Sequence, residues 1–534
     1  MEALVAQRDP QPEVLIVGAG PTGMIAAIEL RRRGIRCRLI ERRSGPMHTS
    51  RAITVHARTM EILEDMGLAE RFLHAGVLNE GYEFNFLGSS DKPRLDYTRL
   101  PTRYPFVVMF NQNQTEKILR DHLEHELQLA IEWETALTYI SETDEEGVTV
   151  QVTHADAGVE TLKPSWVVAC DGLHSPTREC LGIPYTGSEY DGLVMQMVDA
   201  QLSGFAGVDH LLHYYMSQDT FLMIGKLEGP NYRVLVSSQG EVDGIAQSDI
   251  VTPIVALHLP GVTIGEPDWK TTWEIWIRKA ERYRQGHVFL CGESGHIHSV
   301  AGGQGWNVCM QDAYNLMWKL ALVIQGRARP TLLDTYEAER VPVSEQVIEG
   351  SSAIHEIIMA HGSGLEERMA LTRSPDWNDQ AVARISGLSY NYRAVLPRPS
   401  GCREDVEPAI GDRLPDVSIG PHLRLHQLCA HTRFTCLIVL DELSDAGLEA
   451  ARDAEQSIGA AWPDLVRVEL IAPAVPHPWP GLLPVADPDG AVAGQLGLLP
   501  GGEFVLVRPD GYIACRAALG CWQAVESVLR EFLF

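Results

Sequence analysis

No run of apolar residues in this 534-residue chain is long enough to cross a bilayer, and the polar opening segment, residues 1–13, has no apolar stretch of the kind that makes a secretory signal. The expected location is therefore the cytoplasm, with no membrane contact. The ten cysteines contain no CxxC and no regular spacing, which argues against a disulfide framework and against a thiolate zinc site. Most of them are expected as reduced core thiols. No basic stripe offsets the formal net charge of −27, so a phosphate backbone would be repelled and nucleic acid is not an expected partner. There is no internal repeat, no clear heptad run and no tract of biased composition. What is present is ordinary for a globular protein: 45% hydrophobic and 22% charged residues. The length suits roughly two to four folding units able to enclose a large ligand.

The first informative stretch is Glu13-Val14-Leu15-Ile16-Val17, a short β-branched run that ends in Gly18-Ala19-Gly20-Pro21-Thr22-Gly23 and then in a helical segment, residues 24–33. In this order the first glycine permits a tight turn, the second admits a pyrophosphate to the backbone, and the third lets helix and strand pack closely. The helix start then presents its positive end to the phosphates. Gly34 punctuates the helix and Cys37-Arg38-Leu39-Ile40 reads as the next strand. Glu41 follows, with Arg42, about twenty residues beyond the motif, where an acid can accept hydrogen bonds from ribose hydroxyls. These features predict a dinucleotide site but do not separate FAD from a nicotinamide dinucleotide, since both carry the same ADP half.

Two further strand-to-turn transitions follow. Trp166-Val167-Val168-Ala169-Cys170 runs into Asp171-Gly172-Leu173-His174-Ser175-Pro176-Thr177-Arg178, and His287-Val288-Phe289-Leu290-Cys291 runs into Gly292-Glu293-Ser294-Gly295-His296. With these residues the chain resembles the group A flavoprotein monooxygenases, the para-hydroxybenzoate and phenol hydroxylase superfamily, over nearly its whole length. The resemblance implies that Asp171, Gly172, Ser175 and Arg178 lie near the FAD pyrophosphate and take part in NADPH or NADH binding, and that Gly292-Glu293 contacts the ribityl chain. Further matches are Arg51-Ala52 with Arg58-Thr59-Met60-Glu61-Ile62-Leu63, Gln112 with Thr115-Glu116, and Gly302-Gly303-Gln304-Gly305 with Asn307, Asp312, Asn315 and Lys319. Departures from the family pattern are Glu293 for an aspartate, Ser299 for a proline beside the flavin and Cys309 for a glycine early in a helix.

Residues 306–325 place Met310, Ala313, Met317, Leu320 and Ile324 at helical spacing directly after the glycine-rich loop. Unpaired N–H groups at that helix start would stabilise the negative charge of reduced flavin around N1 and the C2 carbonyl. The resemblance implies oxygen transfer from a flavin C4a-hydroperoxide, with the cofactor supplying the chemistry and the protein orienting the ring, excluding water and tuning charge. No Ser-His-Asp set or metal cluster is then needed. The pairs His296 and His298, and His210 and His213, lack the company of Cys or carboxylates at metal spacing and read as pocket lining, so no metal is expected. A base for a substrate phenol has no motif to fix it; His213, Tyr214, Tyr215 and Arg233 are candidates, each also readable as structural.

The expected fold class is α/β, with a Rossmann-like FAD-binding domain over residues 1–184 and 278–395, an inserted β-rich substrate domain over 185–277, and a C-terminal domain over 396–534. The last carries a strand at 434–440, a helix near 446–457, a strand at 466–472 and a hairpin of 504–507 with 512–516 turned by Pro509-Asp510-Gly511. That order resembles the thioredoxin-like tail of the phenol hydroxylase subgroup, and without CxxC it implies stability or assembly; Cys436, Cys515 and Cys521 read as packing residues. The function expected is NADPH- or NADH-dependent oxygenation of a phenolic aromatic substrate, a polycyclic aromatic polyketide being one candidate, by a monomer or homodimer using O2. Three alternatives stay open. A flavin halogenase is one, although Trp273-Glu274-Ile275-Trp276-Ile277-Arg278 lacks the halogenase Trp-x-Trp-x-Ile-Pro spacing. The others are a Baeyer-Villiger or rearranging enzyme of the same superfamily and a flavin-binding module without catalysis.

Overall fold

Four short, mostly apolar runs, Val14–Val17, Cys37–Ile40, Trp166–Ala169 and Val288–Leu290, are buried at every position, the pattern of parallel strands covered on both faces. In the computed structural model of the chain they lie side by side in the order 288–290, 166–169, 14–17, 37–40, all parallel. Ile131–Glu132 continues the sheet in parallel, and the antiparallel Arg284–Gln285 closes its other edge. The structure describes residues 11–47, 52–143, 147–359, 364–374, 377–421, 423–429, 432–475, 484–498 and 500–534. Strand alternation divides the core: Val14 and Ile16 pack toward helices Pro21–Arg32 and Gly305–Ile324, while Leu15 and Val17 pack toward a three-stranded antiparallel sheet formed by Ala136–Thr143, Gly147–Thr153 and Val159–Leu162.

A nine-stranded sheet is built around Tyr185–Ser203, Leu211–Met216, Phe221–Lys226, Asn231–Gln239 and Trp269–Ala280. It also takes in Gly81–Phe86, Arg94–Asp96 and His296–Ile297, which lie outside residues 185–277. The β-rich layer therefore shares strands with the chain on both sides of the insertion. Its two faces are chemically distinct. Met195, Met197, Tyr214, Met223 and Leu235 join Tyr82, Phe84, Ile53 and Ala301 in one cluster, whereas Val198, Leu222, Ile224, Val234 and Val236 pack on helix Val251–His258.

The C-terminal region forms a five-stranded sheet in the order Val485–Ala486, Val466–Ala472, Phe434–Val439, Glu503–Val507, Ile513–Ala518, the first three parallel and the last two antiparallel. Cys436 and Ile438 face one core with helices Asp445–Ala461 and Trp522–Phe532, and Leu437 and Val439 face another. Gly511, at φ +81°, supplies the left-handed turn of the hairpin. No helix among the described residues is long and apolar enough to cross a membrane.

Candidate flavin and active site

The carboxyl ends of the parallel strands meet along one edge, the position at which open α/β sheets bind ligands. Gly18 follows the first strand at φ +100°, and a Cβ there would overlap the Cys170 carbonyl at the end of the neighbouring strand. A Cβ on Gly23 would overlap the Gly18 carbonyl, so the first and third glycines are sealed into backbone contact. Gly20 differs: nothing lies within 4 Å of its Cβ position. The Pro21–Arg32 helix starts beside that opening with no side chain capping it. Glu41 is buried, and Oε2 accepts from the Ala19 N–H at 2.9 Å while Oε1 accepts from the Arg43 N–H at 3.0 Å. Burial acts to raise its pKa, but the Arg43 guanidinium outweighs this and holds it below the ordinary value. Arg42 is exposed, and it is Arg43, unremarked in the sequence, that folds onto Glu41.

The Asp171-Gly172 and Gly292-Glu293 turns lie against the same edge. A Cβ on Gly292 would come within 3.0 Å of both Thr22 Oγ1 and Cys309 Cβ, so this glycine is wedged between the two helix starts. The Glu293 carboxylate reaches to 3.9 Å from the Cβ position of Gly172. Asp171 Oδ2 accepts from the Thr177 N–H at 3.1 Å, and Oδ1 is buried without a partner. Burial pushes its pKa up, against the pull of Ser175 and Thr177. Arg178, expected at the pyrophosphate, has its guanidinium committed elsewhere: it donates to the Leu173 carbonyl at 2.9 Å and the Ser294 carbonyl at 3.0 Å, and lies 4.0 Å from the Tyr185 ring centroid. It braces the two turns against each other.

At the other end of the cleft, Thr54–Val55 runs beside the glycine-rich loop. Asn307 pins the two together: its Oδ1 accepts from the His56 N–H at 3.0 Å, and its Nδ2 donates to the Thr54 and Gly303 carbonyls at 2.8 and 3.0 Å. Gly302 and Gly303, at φ +83° and +66°, carry the chain into helix Gly305–Ile324, which no side chain caps. Gln304 turns away, its amide donating to the Arg384 carbonyl and the Tyr390 hydroxyl, so only its backbone remains at the helix start. Ser299 is buried with its hydroxyl 3.0 Å from His355 Nδ1, and Gln112 bonds Glu116 at 3.1 Å. Arg51 lies outside the described residues. His56 and Tyr82, which no motif marked, both reach the Gly302 carbonyl, at 3.0 and 3.3 Å. Burial pushes the His56 pKa down to about 4, so its ring is neutral at ordinary pH.

The four base candidates separate. Tyr214 lies on the sheet face that meets Ala301, between Tyr82 and Phe84, and burial raises its pKa, keeping it a phenol. His213 and Tyr215 project to the opposite face, since neighbours along a strand alternate. The His213 Nε2 lies 3.0 Å from the Val208 carbonyl and its Nδ1 3.3 Å from Glu83. Arg233 is fully buried and doubly bonded to Asp199 at 2.7 and 2.8 Å, with a third bond to Asn111, so its guanidinium donors are engaged within the protein. His296 bonds Asp312 at 2.7 Å and His298 bonds the Ser299 carbonyl. Among the described residues no group of three or more His, Cys, Asp or Glu could hold a metal ion.

Asp312, Asn315 and Lys319, grouped with the flavin loop by the resemblance, do different work. Asp312 bonds His296 and Arg340, while Asn315 and Lys319 reach Glu339, which Arg508 also holds at 2.7 Å. These residues tie the flavin helix to the C-terminal hairpin.

The open side of Gly20, the two uncapped helix starts, the buried acceptor on Asp171 and the carboxylate of Glu41 fit the pyrophosphate, the electron-rich ring and the hydroxyls of FAD. A model of the FAD binding domain family matches residues 11–351. The chain is 42% identical to pentachlorophenol 4-monooxygenase of Sphingobium chlorophenolicum, over 97% of this chain and 96% of that protein. An anhydrotetracycline hydroxylase from Streptomyces rimosus has a similar structure, with a TM-score of 0.76 at 31% identity, covering 98% of this chain and 99% of that one. Aklavinone-11 hydroxylase, solved as a ternary complex with FAD and aklavinone, gives a TM-score of 0.79 at 27% identity, covering 98% and 99%. With a cleft of this chemistry, a family match over most of the chain and relatives similar from end to end, the protein belongs to the FAD-dependent aromatic monooxygenases of the phenol hydroxylase superfamily.

Proposed function

We propose that the protein oxygenates a phenolic ring held between the glycine-rich loop and the inner face of the nine-stranded sheet. The observation that carries this reading is the composition of that face. Tyr82, Phe84, Tyr214, Met223 and Leu235 form one buried aromatic and aliphatic wall with Ala301 of the loop, suited to a planar apolar substrate. Bound FAD, reduced by NADH or NADPH, supplies activated oxygen for transfer to the ring. Within that scheme Glu41 accepts the ribose hydroxyls, and the amides at the starts of helices Pro21–Arg32 and Gly305–Ile324 face the pyrophosphate and the pyrimidine edge. Gly18, Gly20, Gly23, Asp171, Gly172, Gly292 and Glu293 line the cleft between them. Neutral His56 donates from Nε2 to the Gly302 carbonyl and fixes the loop without adding positive charge beneath it.

A phenolic substrate agrees with the relatives, one of which is named for pentachlorophenol and others for anhydrotetracycline and aklavinone. The C-terminal region, residues 396–534, serves as a thioredoxin-like structural unit, and the working form is a cytoplasmic monomer or homodimer. The test combines FAD-loaded protein, NADH or NADPH and a panel of simple, chlorinated and polycyclic phenols, followed by oxygen uptake and product mass. One added oxygen atom with matching NAD(P)H consumption is expected. Halide-dependent chlorination would move the protein to the halogenases, ring expansion to Baeyer-Villiger chemistry, and flavin retention with no turnover of any phenol would end this reading.

A further inference from the structure

We propose that Cys402 and Cys515 are a paired dithiol that hydrogen peroxide closes into an intramolecular disulfide, fastening the connecting segment to the C-terminal sheet. The two sulfurs are 3.2 Å apart although 113 positions separate them in the chain, and both thiols are free. The backbones are already aligned. The Arg403 N–H donates to the Arg516 carbonyl at 2.8 Å, so each cysteine immediately precedes one member of a bonded pair. Arg403 and Arg516 both clamp the Glu503 carboxylate, at 2.7 and 2.8 Å, which holds the two segments in register. Closing to a bonded sulfur separation of about 2.0 Å then asks for a side-chain rotation rather than a movement of the fold.

The two positions are unequal in a way that suits the chemistry. Cys402 is partly exposed and Cys515 is buried behind it. The hydrogen bond from the Cys515 thiol holds the Cys402 thiol below its ordinary pKa, favouring Cys402 as the attacking sulfur. The Cys402 sulfur attacks one peroxide oxygen, the O–O bond breaks, and a sulfenic acid and one water form. The Cys515 sulfur then attacks the sulfenic sulfur, the S–O bond breaks, and the hydroxyl leaves as a second water with the Cys515 proton. Two electrons pass from the thiol pair to the peroxide.

The experiment treats the FAD-loaded protein with increasing hydrogen peroxide, blocks remaining thiols with N-ethylmaleimide and maps peptides without reduction. Expected is one cross-linked pair joining the Cys402 and Cys515 peptides, lighter by two hydrogens, reversed by dithiothreitol and accompanied by a higher thermal midpoint. Cys402→Ser should abolish the cross-link while leaving flavin binding unchanged. Because Cys402 lies partly at the surface, this variant keeps the test decisive even if Cys515→Ala fails to fold. Recovery of Cys402 as a sulfinic acid, its linkage to the exposed Cys521, or full alkylation of both thiols after peroxide would each overturn the proposal.

Discussion

Single residues decide how the cleft holds its cofactor, and Glu41 is the sharpest case. Its carboxylate sits at the end of the second parallel strand with an ordered backbone donor on each oxygen, so its orientation is set before any ligand arrives. Removing it by Glu41→Ala should weaken FAD binding about 10- to 100-fold, the loss of charge-assisted hydrogen bonds worth roughly 1.5–3 kcal/mol. Quenching of flavin fluorescence on titration measures this, and unchanged affinity would remove the ribose role. Arg178 makes a different prediction. Its guanidinium satisfies two buried carbonyls on separate turns, so Arg178→Ala leaves both unpaired and should cost roughly 1.5–3 kcal/mol of stability. The thermal midpoint should fall in the cofactor-free protein as well as in the loaded one. A loss seen only with FAD present would instead return Arg178 to direct contact with the ligand.

At the scale of elements, amphipathic patterns account for what packs where. Helix Trp522–Phe532 buries Val525, Val528, Leu529 and Phe532, a spacing that brings one stripe onto the C-terminal sheet. Leu529 is completely enclosed, and Leu529→Ala should destabilise the protein by about 2–5 kcal/mol through lost burial and the cavity left behind. Urea unfolding followed at tryptophan, with Trp522 on this helix, reports the change; a shift under about 1 kcal/mol would mean the helix packs more loosely than described. Helix Gly305–Ile324 shows the complementary case. It is buried at every position from Asn307 to Leu322, polar Asp312, Asn315 and Lys319 included, so its apolar periodicity tells only part of its surroundings. The polar residues face partners from other segments.

Across the whole molecule, buried ion pairs join the flavin helix, helix Asp334–Met359 and the C-terminal hairpin. Glu339 lies between Lys319 and Arg508, and Glu61 between Arg58 and Arg413, each pair fully or almost fully enclosed. Burial alone would raise both carboxyl pKa values, but the surrounding cations bring each down to about 2 from an ordinary 4.5. A carboxyl depressed in the folded state stabilises the protein fully above its unfolded pKa and progressively less as pH falls toward its folded value. Stability should therefore decline as pH drops from about 4.5 to about 2. Urea midpoints across that interval measure the slope, and Glu339→Gln should flatten it. The same variant should lower stability at neutral pH by about 3–5 kcal/mol, because the buried Arg508 and Lys319 lose the carboxylate that compensates them. A flat wild-type profile would show that these carboxyls do not titrate as described.

The sequence by itself determined that the N-terminal unit binds a dinucleotide. Gly18, Gly20, Gly23 and Glu41 form a local unit whose strand, turn and helix lie within some thirty residues, so their spacing is readable without the rest of the chain. The C-terminal hairpin was legible for the same reason, since Pro509-Asp510-Gly511 encodes its own turn. Tertiary structure decided what depends on distant segments meeting. It put Arg178 on two carbonyls, turned Gln304 to Tyr390, brought Arg43 onto Glu41 and separated Tyr214 from His213 and Tyr215 by one step of a strand. It also brought Cys402 to Cys515 across the C-terminal region. A motif fixes backbone shape through short-range sterics, whereas a side chain's partner is chosen by whichever donor, acceptor or charge the folded chain brings within reach.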